Sequence, residues 1–190
     1  MRRSNDFYAT ESAVTKVLLD KVSLISIAGS ISEPCAGDGA IVDVLCDEHT
    51  TNVYTNDIDP QWHCDSNFDA SNRDTWEHWR DFNRLPNWTI TNPPFNQAHL
   101  ILPLAYEYSA VGVAFLLRLS YLEPAGERGG NRGEWLQSHS QNLSNLIIFG
   151  QPRPSFTGNN KTDLCTVAWM VWMKHHRSGT KVDFVFDWKQ

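Results

Sequence analysis

Four stretches carry residues that could do chemistry together: Thr91-Asn92-Pro93-Pro94-Phe95, Glu33-Pro34-Cys35-Ala36-Gly37-Asp38-Gly39, Asp57-Ile58, and Asp69. In the first, each proline fixes its own φ and pushes the preceding residue into an extended conformation, so the turn is stiff. It points an amide side chain, the Pro93 carbonyl and the Phe95 ring toward one place. An amino group on an aromatic ring is a poor nucleophile, because its lone pair is delocalised into the ring. The Asn92 side-chain oxygen and the Pro93 carbonyl can accept both amino hydrogens and draw that lone pair out of plane. Phe95 can hold the flat ring by stacking. The same residues also make an ordinary strand-ending turn, for which Asn-Pro is common.

The second stretch reads as a short strand, a glycine turn and the start of a helix. Gly37 and Gly39 let the backbone turn tightly and approach a ligand closely. Val42 stands where a GxGxxG fingerprint has its third glycine, which argues against dinucleotide binding. Glu33 at the strand end suits a ligand carrying an ammonium group and not a pyrophosphate. About twenty residues later, Val53 to Asp59 reads as a second strand ending in acid. A carboxylate there bonds the ribose hydroxyls of an adenosine-containing ligand, and Asp57 is better placed than Asp59. Asn67 to Ala70 would end a third strand, leaving Asp69 either for an adenine amino group or as a simple turn residue.

The elements that must hold these residues follow from periodicity. Val14, Val17 and Leu18 recur at helical spacing, predicting a helix from Glu11 to Val22 with Thr10 as N-cap. Trp76, Trp79 and Phe82 do the same within Asn72 to Pro86, as core aromatics. His99 to Ser109 reads as a helix, and Val111 to Leu117 as a buried parallel strand. Arg118 to Gly133 is a long loop rich in glycine and arginine, a length usual for functional or disordered segments. Asn145 to Phe149, Cys165 to Trp172 and Val182 to Phe186 are further strands.

Composition bounds the class. With 190 residues and 21.6 kDa the chain fits one domain with a sizeable core, and 41% hydrophobic with 20% charged residues is ordinary for a globular protein. The four cysteines form no CxxC pair and read as reduced cytoplasmic thiols, mostly in the core. No apolar run is long enough to span a membrane. His63/Cys64 and His175/His176 are adjacent pairs without the spacing of a zinc site, so no metal is expected. The net charge of −6 argues against nucleic acid, but its distribution matters more. Acidic residues outnumber basic ones about twofold in residues 1–96, which suits a cationic small molecule. The second half is mildly basic, with Arg118, Arg128 and Arg132 placed to grip a nucleic-acid backbone.

Taken in order, Tyr8/Thr10, Glu33-Pro34-Cys35-Ala36-Gly37-Asp38-Gly39, Asp57, Asp69 and Asn92-Pro93-Pro94-Phe95 resemble the S-adenosylmethionine-dependent amino-methyltransferases. More narrowly they resemble the short DNA N6-adenine methyltransferases common in phages and prophages. Leu117 to Glu123 and Arg153-Pro154 through Trp172 are similar to that group's later segments. Glu11 stands where the family often has proline.

The resemblance implies an α/β, Rossmann-like class I methyltransferase fold: a seven-stranded, mostly parallel sheet, helices on both faces and an antiparallel last strand pair. Its strand order is 3-2-1-4-5-7-6, which leaves Val182 to Phe186 without a place. It implies S-adenosyl-L-methionine as cofactor, held by Phe7, Tyr8, Thr10, Glu33, Pro34, Cys35, Ala36, Gly37, Gly39, Asp57, Ile58, Asp69 and Asn92. Glu33 would meet the methionyl ammonium through water, and Phe7 or Phe95 would face the sulfonium. Asn92, Pro93, Pro94 and Phe95 would carry in-line transfer to the N6 of a flipped adenine in DNA.

About 55 residues separate Gly37 from Asn92, so a single catalytic domain without a target-recognition domain is expected. Short-site specificity, or a partner subunit that supplies recognition, follows from that. The location would be cytoplasmic, in the host if the gene is phage-borne. Transfer to cytosine N4, to an RNA base or to protein glutamine uses similar motifs. A non-catalytic methyltransferase-like subunit is the reading from outside enzymology.

Overall fold

The computed structural model describes residues 10–26, 29–48, 52–81, 85–123, 132–155 and 165–189. Phe7, Tyr8, Phe82 and Arg128 lie outside the described residues. The element order is α1 (Ser12–Lys21), α2 (Ser23–Ser26), β1 (Ser30–Glu33), α3 (Ala40–Glu48), β2 (Asn52–Thr55), α4 (Arg73–Asp81), β3 (Trp88–Thr91) and α5 (Ala98–Tyr108). It continues with β4 (Gly112–Arg118), α6 (Arg132–Ser138), β5 (Leu143–Phe149), β6 (Val167–Met173) and β7 (Lys181–Val185). A 3-10 turn follows β4 over Leu119–Leu122, and another precedes β5.

The strands form one sheet in the order β2-β1-β3-β4-β6-β5-β7. All neighbours are parallel except that β6 runs antiparallel to both β4 and β5. Both faces are covered, and the strands divide their side chains accordingly. Ala114, Leu116, Trp169 and Val171 point to the layer of α1 and α3, with Val14, Leu18 and Leu45. Phe115, Leu117, Met170 and Trp172 point to the layer of α4 and α5, with Trp76, Trp79 and Leu102. A strand buried on both faces needs no polar alternation, which is why β4 reads as a continuous apolar run. The α1 layer is tied down by a buried hydrogen bond from Trp169 Nε1 to the Val14 carbonyl, 2.8 Å.

Two expectations about elements change. Asn67–Ala70 does not end a third strand; the only pairing there is an isolated parallel bridge between Asn56 and Ser66. The wholly buried Asn56 side chain takes the place of a strand partner. Its Nδ2 donates to the carbonyls of Pro34 (2.9 Å) and Phe68 (3.0 Å). Its Oδ1 accepts from Phe68 N (2.9 Å) and Ser66 Oγ (2.7 Å). All the bonding capacity of the amide is used, so this segment's backbone is satisfied without a ladder. Strand number seven is instead β7, which the sequence could not place. It adds to the far edge, parallel to β5.

The other change is at the helix start. Glu11, not Thr10, is the N-cap of α1, and it makes no side-chain capping bond. Its carboxylate accepts from Ser155 N (3.0 Å) and pairs with Lys189 (2.9 Å), tying α1 to the last part of the chain. Glu11 thus joins the start of α1 to the segment after β5 and to the segment after β7. The cysteines also sit further out than expected: Cys46 is exposed and Cys35, Cys64 and Cys165 are half-buried.

Candidate active site

The sheet changes direction at β1, which pairs with β2 on one side and β3 on the other. Ligands in open α/β sheets bind beyond the carboxyl ends of the strands at such a point. A cleft of about 790 Å³ lies there, within the usual range for small-molecule sites. Of the residues singled out in the sequence, Thr10, Glu33, Pro34, Cys35, Ala36, Asp57, Ile58, Asp69, Asn92 and Pro94 line it. Gly37, Gly39, Pro93, Phe95, Arg118 and Arg132 are not among the lining residues.

The glycine turn and Asp57 build one another. Gly37 and Gly39 have φ of 53° and 83°, the left-handed region that other residues rarely adopt. This turn aims the Gly37 N–H at Asp57 Oδ2, 2.9 Å away, while Asp57 Oδ1 accepts from Asp59 N at 2.9 Å. Each carboxylate oxygen then keeps lone-pair capacity for a ligand hydroxyl. Burial raises the Asp57 pKa, opposed by those two N–H bonds. Between β1, β3 and the end of α5, Ser32 Oγ, Thr89 Oγ1 and Ser109 Oγ form a buried hydroxyl chain of 3.0 and 2.7 Å links.

Glu33 is 1% exposed, and its Oε2 has no hydrogen-bond partner among the described residues. Burial, then Asp38, then Asp57 push its pKa well above the usual carboxylate range. A buried carboxyl without a partner is costly unless something brings it a proton or a cation. A ligand ammonium would supply what is missing, so the residues present fit the cofactor that the motifs imply. Burial, then the neighbouring Asp57 and Glu33 carboxyls, push the Cys35 thiol up, the opposite of what an activated cysteine needs.

This makes a prediction with two opposite signs. Glu33 binds its proton more tightly folded than unfolded, so its contribution to stability is complete below about pH 4.5. It is lost as pH rises toward the folded value. Glu33→Gln should therefore melt higher than the parent at neutral and alkaline pH, with a flatter dependence of melting temperature on pH. The same variant should bind the cofactor more weakly in calorimetry. A variant that melts lower and binds normally would make Glu33 purely structural.

At the Asn92-Pro93-Pro94-Phe95 turn, Asn92 is 8% exposed and its Nδ2 donates to Thr10 Oγ1 at 3.1 Å. Thr10 thus orients the amide instead of capping α1. Pro94 O accepts from Gln97 N and Ala98 N, so the turn leads directly into α5. Arg118 ends β4 with its guanidinium 4.7 Å from the centroid of the Phe95 ring. Arg132 lies over Tyr121 at 5.2 Å and donates to the Glu123 carbonyl. Asp69 Oδ1 accepts from both the N–H and Oγ of Ser71, making a simple turn, while remaining on the cleft wall.

Asn56, Trp62 and Phe68 were not picked out from sequence. The last two line the cleft with Ile58, and Ile58 and Phe68 are 56% and 41% exposed, open apolar walls suited to a flat ring. The aromatic residues close in sequence to Asp59 and Asp69 are the signal that could have found Trp62 and Phe68.

No family model and no curated protein matches the chain. Solved structures do. A type I restriction-modification methyltransferase subunit from Streptococcus thermophilus matches with TM-score 0.66 and 13% identity, over 96% of this chain and 48% of that one. The chain thus spans about half the length of that subunit. A candidate hemolysin from Lactococcus lactis matches at 0.59 and 16%, covering 94% of both chains. A candidate RNA methyltransferase from Pyrococcus horikoshii matches at 0.58 and 16%, over 85% of this chain and 82% of that one. Identities this low speak to architecture alone, and the architecture is the Rossmann-like fold of the class I S-adenosylmethionine-dependent methyltransferases.

Proposed function

We propose that this chain transfers a methyl group from S-adenosyl-L-methionine to the N6 amine of adenine in DNA. The observation that carries the reading is convergence. The Asn92-Pro93-Pro94 turn meets an acid-lined cleft at the switch point of a methyltransferase fold. When bound, the cofactor supplies an electrophilic methyl on a sulfonium. Glu33 receives the ammonium of the methionyl end and Asp57 the ribose hydroxyls, while Ile58 and Phe68 flank the adenine. Asn92, steadied by Thr10, and the Pro93 carbonyl accept the two hydrogens of the target amine. That acceptance turns the amine lone pair toward the methyl. Phe95 stacks on a base taken out of its helix. Positioning supplies much of the acceleration.

The type I subunit among the similar structures favours DNA as substrate and a partner subunit for recognition. The RNA methyltransferase keeps an RNA base in view. One experiment separates them: DNA and RNA are incubated with the protein and labelled cofactor, then digested and their nucleosides weighed. Label in N6-methyldeoxyadenosine supports the proposal. Label only in N4-methylcytosine or in ribonucleosides overturns the target, and no label points to the non-catalytic subunit.

The basic residues after β4 extend the reading to the nucleic-acid backbone. Arg118 brings a cation to the motif itself, and Arg132 sits at the start of α6. Counterion release makes such contacts salt-dependent. Arg128→Ala with Arg132→Ala should flatten the salt slope of DNA binding by roughly one to two units at unchanged cofactor affinity. An unchanged slope would return this segment to ordinary surface.

A further inference from the structure

The edge strand β7 bonds to β5 on one side only, and among the described residues no strand pairs with its other side. Its two faces differ. On the α1 side Asp183 pairs with Lys21 (3.7 Å) and Lys181 (3.4 Å). On the other side Val182 and Phe184 are 50% and 65% exposed, and Phe186 just beyond the strand is 62% exposed. Three large apolar side chains at alternate positions on an open edge are what soluble proteins usually avoid.

We propose that this edge pairs antiparallel with β7 of a second copy of the chain, about a two-fold axis through Phe184. The choice of a second copy rests on self-complementarity. In this register Phe184 faces Phe184 and Val182 faces Phe186, so the apolar side chains form one seam. On the other face Asp183 meets Val185, and Lys181 meets Asp187. No like charges oppose each other. Moving the axis to Asp183 sets two aspartates face to face, which costs stability. The pairing satisfies edge N–H and C=O groups as well as burying the aromatics.

Topology then dictates what the pairing does to the clefts. β7 runs parallel to β1 and β3, because β6 is the single reversed strand. An antiparallel junction therefore turns the carboxyl edges of the two sheets to opposite sides. Each cleft lies near the opposite edge from β7, so both stay open and face away from one another. The two copies act as independent centres, whatever reaction the cleft performs.

Light scattering on the eluted intact protein tests this. The parent should be a concentration-dependent dimer, and Phe184→Glu should weaken association at least roughly tenfold by placing two carboxylates on the axis. Its cofactor affinity should not change, because Phe184 is remote from the cleft, and its melting temperature should match that of the parent diluted until it is monomeric. Phe184→Cys should give a disulfide-linked dimer under oxidation beyond the parent's own, and Leu100→Cys, equally a surface position on α5, should not. A parent that stays monomeric at its highest soluble concentration overturns the proposal. So does a dimer indifferent to Phe184→Glu, or one in which Phe184→Cys forms no cross-link.

Discussion

Asn92→Ala is expected to cut methyl transfer by a thousandfold or so, the scale on which one aimed hydrogen-bonding group counts at a reacting centre. In the proposed reaction the Asn92 oxygen is the acceptor that makes a conjugated amine nucleophilic, and Pro93, Pro94 and Phe95 supply no second side-chain acceptor. Cofactor affinity should survive, because the proposed binding assigns the ammonium and ribose ends to Glu33 and Asp57, which line the cleft apart from the motif turn. Single-turnover kinetics and calorimetry together read this result. Equal loss in both would make Asn92 a part of the cleft wall and not of the chemistry. Asn92→Asp retains the acceptor but gives up the donation to Thr10, so it should recover part of the lost rate.

Asp57→Ala should weaken S-adenosylmethionine and S-adenosylhomocysteine together, since both carry the ribose. Losing a charged acceptor costs roughly 1.5–3 kcal/mol, about ten- to a hundredfold in affinity. Asp57 also holds the Gly37 and Asp59 amides, so alanine frees the glycine turn as well. Asp57→Asn separates the two effects. Its Oδ1 can still accept one of those N–H bonds, so melting should recover further than affinity does. Unchanged binding of both ligands by Asp57→Ala would take the residue out of the site.

Where local chemistry dictates conformation, the sequence alone sufficed. Two prolines stiffen the 92–95 turn whatever surrounds it. Gly37 and Gly39 permit positive φ, and the structure uses both. The continuous apolar run before Arg118 could only be a strand buried on both faces, and β4 is one. Trp76 and Trp79, one turn apart, had to lie inward, and they are buried. The resemblance then implied that the glycine turn, Asp57 and Asn92 meet at adjoining strand ends, and the pairing of β1 with β2 and β3 brings these segments together there.

What the tertiary structure decided were pairings between distant residues. Thr10 and Asn92 are 82 positions apart, and the local pattern gave Thr10's hydroxyl to a helix cap instead. Asn56 replaces a strand by bonding four groups on three residues, Pro34, Ser66 and Phe68, which no propensity of Asn67–Ala70 could foretell. Glu33 was legible as an acid at a strand end, but its lack of a partner depends on everything that packs around it. Arg118 read as a loop cation until β4 and the motif turn were brought side by side, over Phe95. β7 had the alternation of a strand and no information about its neighbour. A strand's own residues specify which face is apolar, whereas the edge it joins depends on which edge the rest of the sheet leaves open.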